Sequence, residues 1–281
     1  MDSGLRGVRG PLAVSFVKIL TAAALWSTIG VASVYGGDYV LLAFFRSATA
    51  AAASLALTGL RPPRPPSLLA GLLLGALFVA YPLAAVLAGV GTAAYLLYTA
   101  PLWTALESRA LGEELDGRTK IAIALVLAAI ALMSFSSLRG ELNPYGLLTG
   151  VTSGVIYGSY IAVARYYSSR GDDVSVSLGA MLYTLIVAAP AAGAYALIFR
   201  PAELLRPALF GLYLGLFGTM VPYRLFASGV RFIGAAKAAV LAVLEPALAA
   251  LWGYIFFGQT PTSAAVAGYA LITAAAFLAS R

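Results

Sequence analysis

Residues 235–257 read AAKAAVLAVLEPALAALWGYIFF, with Glu245 and Pro246 near the middle of an otherwise apolar run. At about 1.5 Å per residue the run is long enough to cross a bilayer as a helix. A carboxylate at that depth costs about 2.5 to 3.5 kcal/mol on insertion scales, so Glu245 is expected to face protein or a water-filled cavity. Pro246 has no N–H, frees the carbonyl one turn back and kinks the helix beside the acid. A buried acid beside freed carbonyls points to a substrate or ion site more than to a packing surface. The alternative is an inert kink with Glu245 neutral or paired.

The rest of the 281-residue chain agrees with a membrane setting. It is 61% hydrophobic and 10% charged, with a mean hydropathy of +0.91, which places it among integral membrane proteins. The net charge of +7 comes from arginines scattered singly among apolar runs, which suits topology signals and no nucleic-acid partner. With no cysteine and no histidine, disulfides, thiolate metal sites and haem ligation are excluded, and no cofactor or metal is implied. Any proton-linked step must use a carboxylate, a tyrosine or a lysine. Asn143 and Gln259 are the only residues of their types, a depletion that fits a thermophilic source.

Ten spans are expected: residues 12–35, 39–57, 68–87, 92–111, 121–138, 145–166, 176–199, 208–230, 235–257 and 264–279. The first is longer than a signal-peptide core and reads as a retained helix. RPPRPP at 61–66 cannot be helical and forms a stiff basic loop. With the N-terminus inside, one face receives Arg6, Arg9, Arg61, Arg64, Arg118, Lys120, Arg165, Arg170, Arg231 and Arg281, and the other keeps Arg139, Arg200 and Arg206. That bias places both termini in the cytoplasm, in the plasma membrane as the bounding bilayer.

The fourth and ninth spans correspond: YTAPLWTALESRALGEELD at 98–116 against VLEPALAALWGYIFFGQTPT at 243–262. Each has a central proline, an aromatic continuation and a glycine-polar pair, Gly112-Glu113 or Gly258-Gln259. LWSTIGVASVY at 25–35 matches VIYGSYIAVARY at 155–166 more loosely, with Trp26 opposite Tyr157. Two five-helix units, 1–140 and 141–281, are therefore expected, and because five is odd the second enters the membrane inverted.

LWST in the first span, FFRSATAA around Arg46, the Pro101–Leu115 stretch ending LGEEL and GAAKAAVLAVLEP together resemble the EamA-like branch of the drug/metabolite transporter superfamily. The resemblance covers essentially the whole chain. It implies a ten-helix inverted-repeat carrier of small organic metabolites, often an exporter of amino acids or related amphipathic compounds, with a central cavity. It maps a leucine-glutamate-proline element onto Leu244, Glu245 and Pro246 and a second-span arginine onto Arg46. Gln259 stands where a glutamate is usual, and Ala100 precedes Pro101 with no acid, so the halves are expected to be unequal.

Of the eleven acidic residues, only Glu107 and Glu245 fall inside expected spans. Glu107 reads as an interfacial charge, Glu245 as a deep one. Arg46 and Arg224 could each hold an anionic substrate group, and Lys18 and Lys237 snorkel from helix ends. Trp26, Tyr81, Tyr95, Tyr98, Trp103, Tyr157, Tyr160 and Trp252 are candidate cavity rings, with Tyr183 and Tyr223 in the same aromatic set, favouring an uncharged or amphipathic ligand over a metal ion. Pro82, Pro101, Pro222 and Pro246 are candidate hinges. An intramembrane enzyme would need paired acids, a histidine or a metal cluster at membrane depth, which the sequence lacks. A receptor built on Lys237 would leave the repeat without a role. The expected partners are a small-molecule substrate and the lipid bilayer, and Ala/Gly-rich helix packing suffices for a monomer.

Overall fold

The computed structural model describes residues 3–60, 62, 64–88, 90–137, 143–258 and 260–280. Arg61, Arg139, Gln259, Arg281 and the 140/141 division lie outside the described residues, as do the side chains of Arg6 and Arg9. All regular structure described is helical: α1 (Ser3–Trp26), α2 (Ile29–Gly36), α3 (Tyr39–Thr58), α4 (Pro65–Ala88), α5 (Val90–Leu97), α6 (Ala100–Ala110), α7 (Gly117–Ser137), α8 (Pro144–Ser168), α9 (Leu178–Phe199), α10 (Leu205–Gly215), α11 (Val221–Val230), α12 (Ala235–Ala242), α13 (Glu245–Phe257) and α14 (Ser263–Ser280). Among the described residues, eight helical stretches are long and apolar enough to cross a membrane, Leu12–Gly36 and Ala235–Phe257 among them. The fourth and fifth expected spans correspond to α5–α6 and α7, which are not among those eight. Leucines, valines and phenylalanines stand exposed along the outward faces of most of these helices, as lipid contact requires. The protein is an integral, multi-pass membrane protein.

Three spans expected to be single helices are broken. The ninth divides at Val243–Leu244, where Pro246 leaves the Ala242 carbonyl without its helical donor and begins α13 within its first turn. The fourth divides in the same way at Tyr98–Thr99, before Pro101. The first divides at Ser27–Thr28, where the Ser27 and Thr28 hydroxyls bond the Ala24 and Leu25 carbonyls at 2.6 and 2.7 Å and compete with the backbone ladder. The eighth stays continuous but passes through a π-helical turn, Leu216–Met220, just ahead of Pro222. Pro82 lies inside α4, which runs past it.

Small residues decide which helices meet. Gly146, Gly150, Gly154 and Gly158 form a stripe along α8, and a Cβ on Gly158 would stand 2.6 Å from Trp103 Cβ, so α5 and α6 lie directly on the α8 backbone. Gly71 and Gly75 let α4 close on Ala180, Tyr183 and Thr184 of α9, and Gly211 and Gly215 let α10 close on Phe45, Arg46 and Thr49 of α3. α4 also packs on α8 as α1 packs on α11, and α3 meets α9 as α7 meets α14.

Candidate functional site

A cavity of about 490 Å³ opens among these helices. It is walled by Trp26, Ser27 and α2, by Tyr39, Arg46, Phe78, Tyr81 and Pro82, by Tyr95 and Tyr98, and by Tyr157, Tyr223, Glu245, Pro246 and Tyr269. Both halves contribute. Glu245 and Arg46 are the charged residues among those lining it. The helix break sets Glu245 at the first residue of α13, where Tyr98 faces its carboxylate and Arg46 lies within electrostatic reach. Tyr81, Tyr157 and Tyr223 feel the same carboxylate.

Arg46 is held by the π-helical turn that precedes α11. Its Nε donates to Thr219 Oγ1 at 2.5 Å and its Nη2 to the Gly218 carbonyl at 2.9 Å. The guanidinium carbon sits 4.0 Å above the Phe78 ring centroid. Pro222, four residues after Gly218, has no N–H to offer that carbonyl, and Arg46 donates to it. Trp26 packs against Tyr223 at 5.0 Å, Phe226 at 5.5 Å and Tyr157 at 6.2 Å between centroids.

Four residues considered for the cavity lie elsewhere. Arg224 forms an ion pair with Asp173 near the α8–α9 connection, where a carboxylate answers its charge. Tyr160 is fully buried, edge-on to Tyr223 at 5.1 Å, with its hydroxyl donating to the Val176 carbonyl. Trp103 turns towards α8 and donates to Thr99 Oγ1 at 3.1 Å. Trp252 donates to Ser27 Oγ at 2.9 Å and so ties α13 to the α1–α2 break, one residue behind the wall. The sequence reading missed Tyr39, Phe78 and Tyr269 as lining residues. Phe78 stands one turn before Tyr81 and Tyr39 two turns before Arg46, so helical spacing carried a signal for both; Tyr269 had none.

One end of the bundle is closed. Glu113, in the α6–α7 connection, accepts from Arg165 Nε at 3.0 Å and, through its other oxygen, from the Ala235 N–H at the start of α12 at 2.9 Å. Arg165 also donates to the Val230 and Arg231 carbonyls, and Lys237 pairs with Asp116 at 2.9 Å. A carboxylate at a helix N-terminus meets both orphan donors and the positive end of the dipole. Asp116 is held well below the usual carboxylate range, chiefly by the Thr119 N–H and then by Lys237. Every described residue of α12 except Lys237 is buried, whereas α13 buries none. The cavity wall accordingly runs from Glu245 to Phe257 and from Trp26 to Val34, towards the ends of α13 and α2 farthest from this ionic cluster.

A helical membrane bundle with paired helix breaks around a polar-floored central cavity defines a membrane transporter. Residues 144–281 match the EamA-like transporter family, and the chain belongs to it. It is 32% identical over 193 residues to an "Uncharacterized transporter" of Archaeoglobus fulgidus, covering 68% of this chain and 67% of that one. It is 27% identical over 186 residues to "Uncharacterized transporter YdfC" of Bacillus subtilis, covering 63% of this chain and 58% of the relative, so the match spans less than two thirds of that protein. A solved crystal structure superposes with a TM-score of 0.77 at 25% identity, over 94% of this chain and 97% of the other.

Proposed function

We propose that the chain is a secondary carrier working by alternating access, a ten-helix bundle of two inverted repeats over residues 1–140 and 141–281. Its substrate is a small amphipathic organic metabolite, with amino acids and related compounds the first candidates, exported across the plasma membrane. The observation that carries this reading is Glu245 at a helix break on the wall of a cavity shared by both halves and closed at one end by ion pairs. Alternating access by exchange of repeat conformations needs such a site at the repeat interface.

The matched helix breaks before Pro101 and Pro246, and the matched Gly-xxx-Gly contacts of α4 on α9 and α10 on α3, support the repeat. Arg64, Arg165, Arg170, Arg231 and Lys237 cluster with the closed end, which supports a cytoplasmic location for that end by the positive-inside rule. On that orientation the cavity faces outward.

Counterflow in proteoliposomes tests the proposal. Saturable exchange of a labelled amphipathic compound, abolished in Glu245→Gln, supports a carrier; chemical turnover of the compound, or flux linear in concentration, contradicts it. Uptake by the wild-type protein that an imposed pH gradient drives, and that stops when the gradient is collapsed, assigns the coupling ion as a proton.

A further inference from the structure

Resting on the reading of the cavity as the substrate site, we infer that its occupant is recognised through an organic ammonium group, held by the Glu245 carboxylate inside a wall of tyrosine rings, and that Arg46 does not bind an anionic group of the substrate.

Arg46 is the cavity's only cation among the described lining residues and the obvious anchor for a carboxylate. The Nε–Nη2 edge of its fork is already occupied. Two of its three nitrogens donate to Thr219 and to the Gly218 carbonyl, and its face lies on Phe78. The residue four positions on, which would donate to Gly218 in a regular α-helix, is Pro222 and cannot. Swinging the guanidinium to a substrate would break both bonds and lift it from the Phe78 ring, so capture of an anion through the Nε–Nη2 edge is opposed.

Glu245 is in the opposite position. As a carboxylate it can only accept, and it faces Tyr98 with Tyr81, Tyr157 and Tyr223 in electrostatic range. Aromatic faces carry negative potential and attract organic cations, and a carboxylate among them supplies the charge that such a cation needs. An anionic ligand would meet the same faces and the same carboxylate with the wrong sign. The remaining wall, from Leu77, Ala85, Ile130 and Met133, suits an apolar body attached to the ammonium. The volume of about 490 Å³ falls within the range of small organic ligand sites.

The test uses the purified full chain and four probes of similar size: phenethylamine, phenethyl alcohol, 3-phenylpropionate and phenylalanine, with binding followed by calorimetry. Phenethylamine is expected to bind at least about tenfold tighter than the alcohol and the propionate, with phenylalanine no tighter than the amine. Glu245→Gln should bring amine and alcohol to parity, and Glu245→Asp should restore part of the preference, which a merely unfolded variant would not do. Tighter binding of the propionate, or of phenylalanine over the amine, would return Arg46 to the role of anion anchor and overturn the inference. Equal binding of alcohol and amine, or no binding of the amine, would also overturn it. A cysteine at Ala249, on the cavity wall, separates the two levels. Labelling by a water-soluble maleimide in a protein that ignores the amine leaves the cavity standing and removes only the ligand class, whereas an unreactive cysteine removes both.

Discussion

The Arg46 guanidinium hydrogen-bonds the carbonyl of Gly218, to which Pro222, four residues on, has no N–H to donate. An arginine of α3 thereby joins another helix at its π-helical turn and lies over Phe78 on the cavity wall.

That relationship predicts a rescue. Arg46→Gln should destabilise the protein by about 1–3 kcal/mol, the range for an orphaned buried acceptor. In a Pro222→Ala background, where residue 222 can donate to Gly218, the same truncation should cost about 1 kcal/mol less. Thermal unfolding of the four proteins measures the coupling; strictly additive losses would mean that the Gly218 bond contributes nothing.

The glycine stripe of α8 predicts a contrast between two similar substitutions. Gly158→Val must displace Trp103 and should cost about 1–3 kcal/mol by overpacking. Gly193→Val, where a new Cβ meets nothing within 4 Å, should leave the unfolding midpoint within a degree or two of the wild type. Equal effects would show that the α6–α8 contact is not close.

How far the sequence revealed this arrangement depends on the range of the interaction. The Glu245–Pro246 break is local: a proline withdraws one donor and the helix divides beside it, so the place of the acid could be read directly. Phe78 and Tyr81 share a face through helical spacing alone. Arg224 looked equivalent to Arg46, but Asp173, from a distant connection, draws its charge out of the cavity. Glu113 and Arg165 are 52 residues apart, and no periodicity links a loop acid to the far end of another helix. The broken first span was likewise hidden, because Ser27 and Thr28 are ordinary residues in membrane helices until their hydroxyls take backbone carbonyls.

The ion pair at the closed end predicts a bias in orientation. Glu113→Gln removes the charge that joins Arg165 to the start of α12, and should raise the labelling rate of a cysteine at Ala242 from that end about fivefold or more, as a loss of about 1 kcal/mol requires. Unchanged labelling would mean that the cluster does not hold the end shut.

Acid should act on the neighbouring pair with a defined sign. Because folding depresses the Asp116 carboxyl, its contribution to stability is complete above the unfolded value of about 3.9 and is lost as pH falls below it towards the folded value. Asp116→Asn should therefore lower the unfolding midpoint at pH 7 while flattening its fall below about pH 4. A parallel acid profile in wild type and variant would remove Asp116 from the titration.

The central claim is that the space around Glu245 is reached from one side of the membrane at a time. In a chain with no native cysteine, Ala249→Cys in sealed vesicles of known orientation reports it directly. Labelling is predicted from the side of the α2 and α13 ends alone, with the opposite side gained when Glu113 is replaced by glutamine. Labelling from neither side, or from both sides equally in the otherwise unaltered protein, would contradict it.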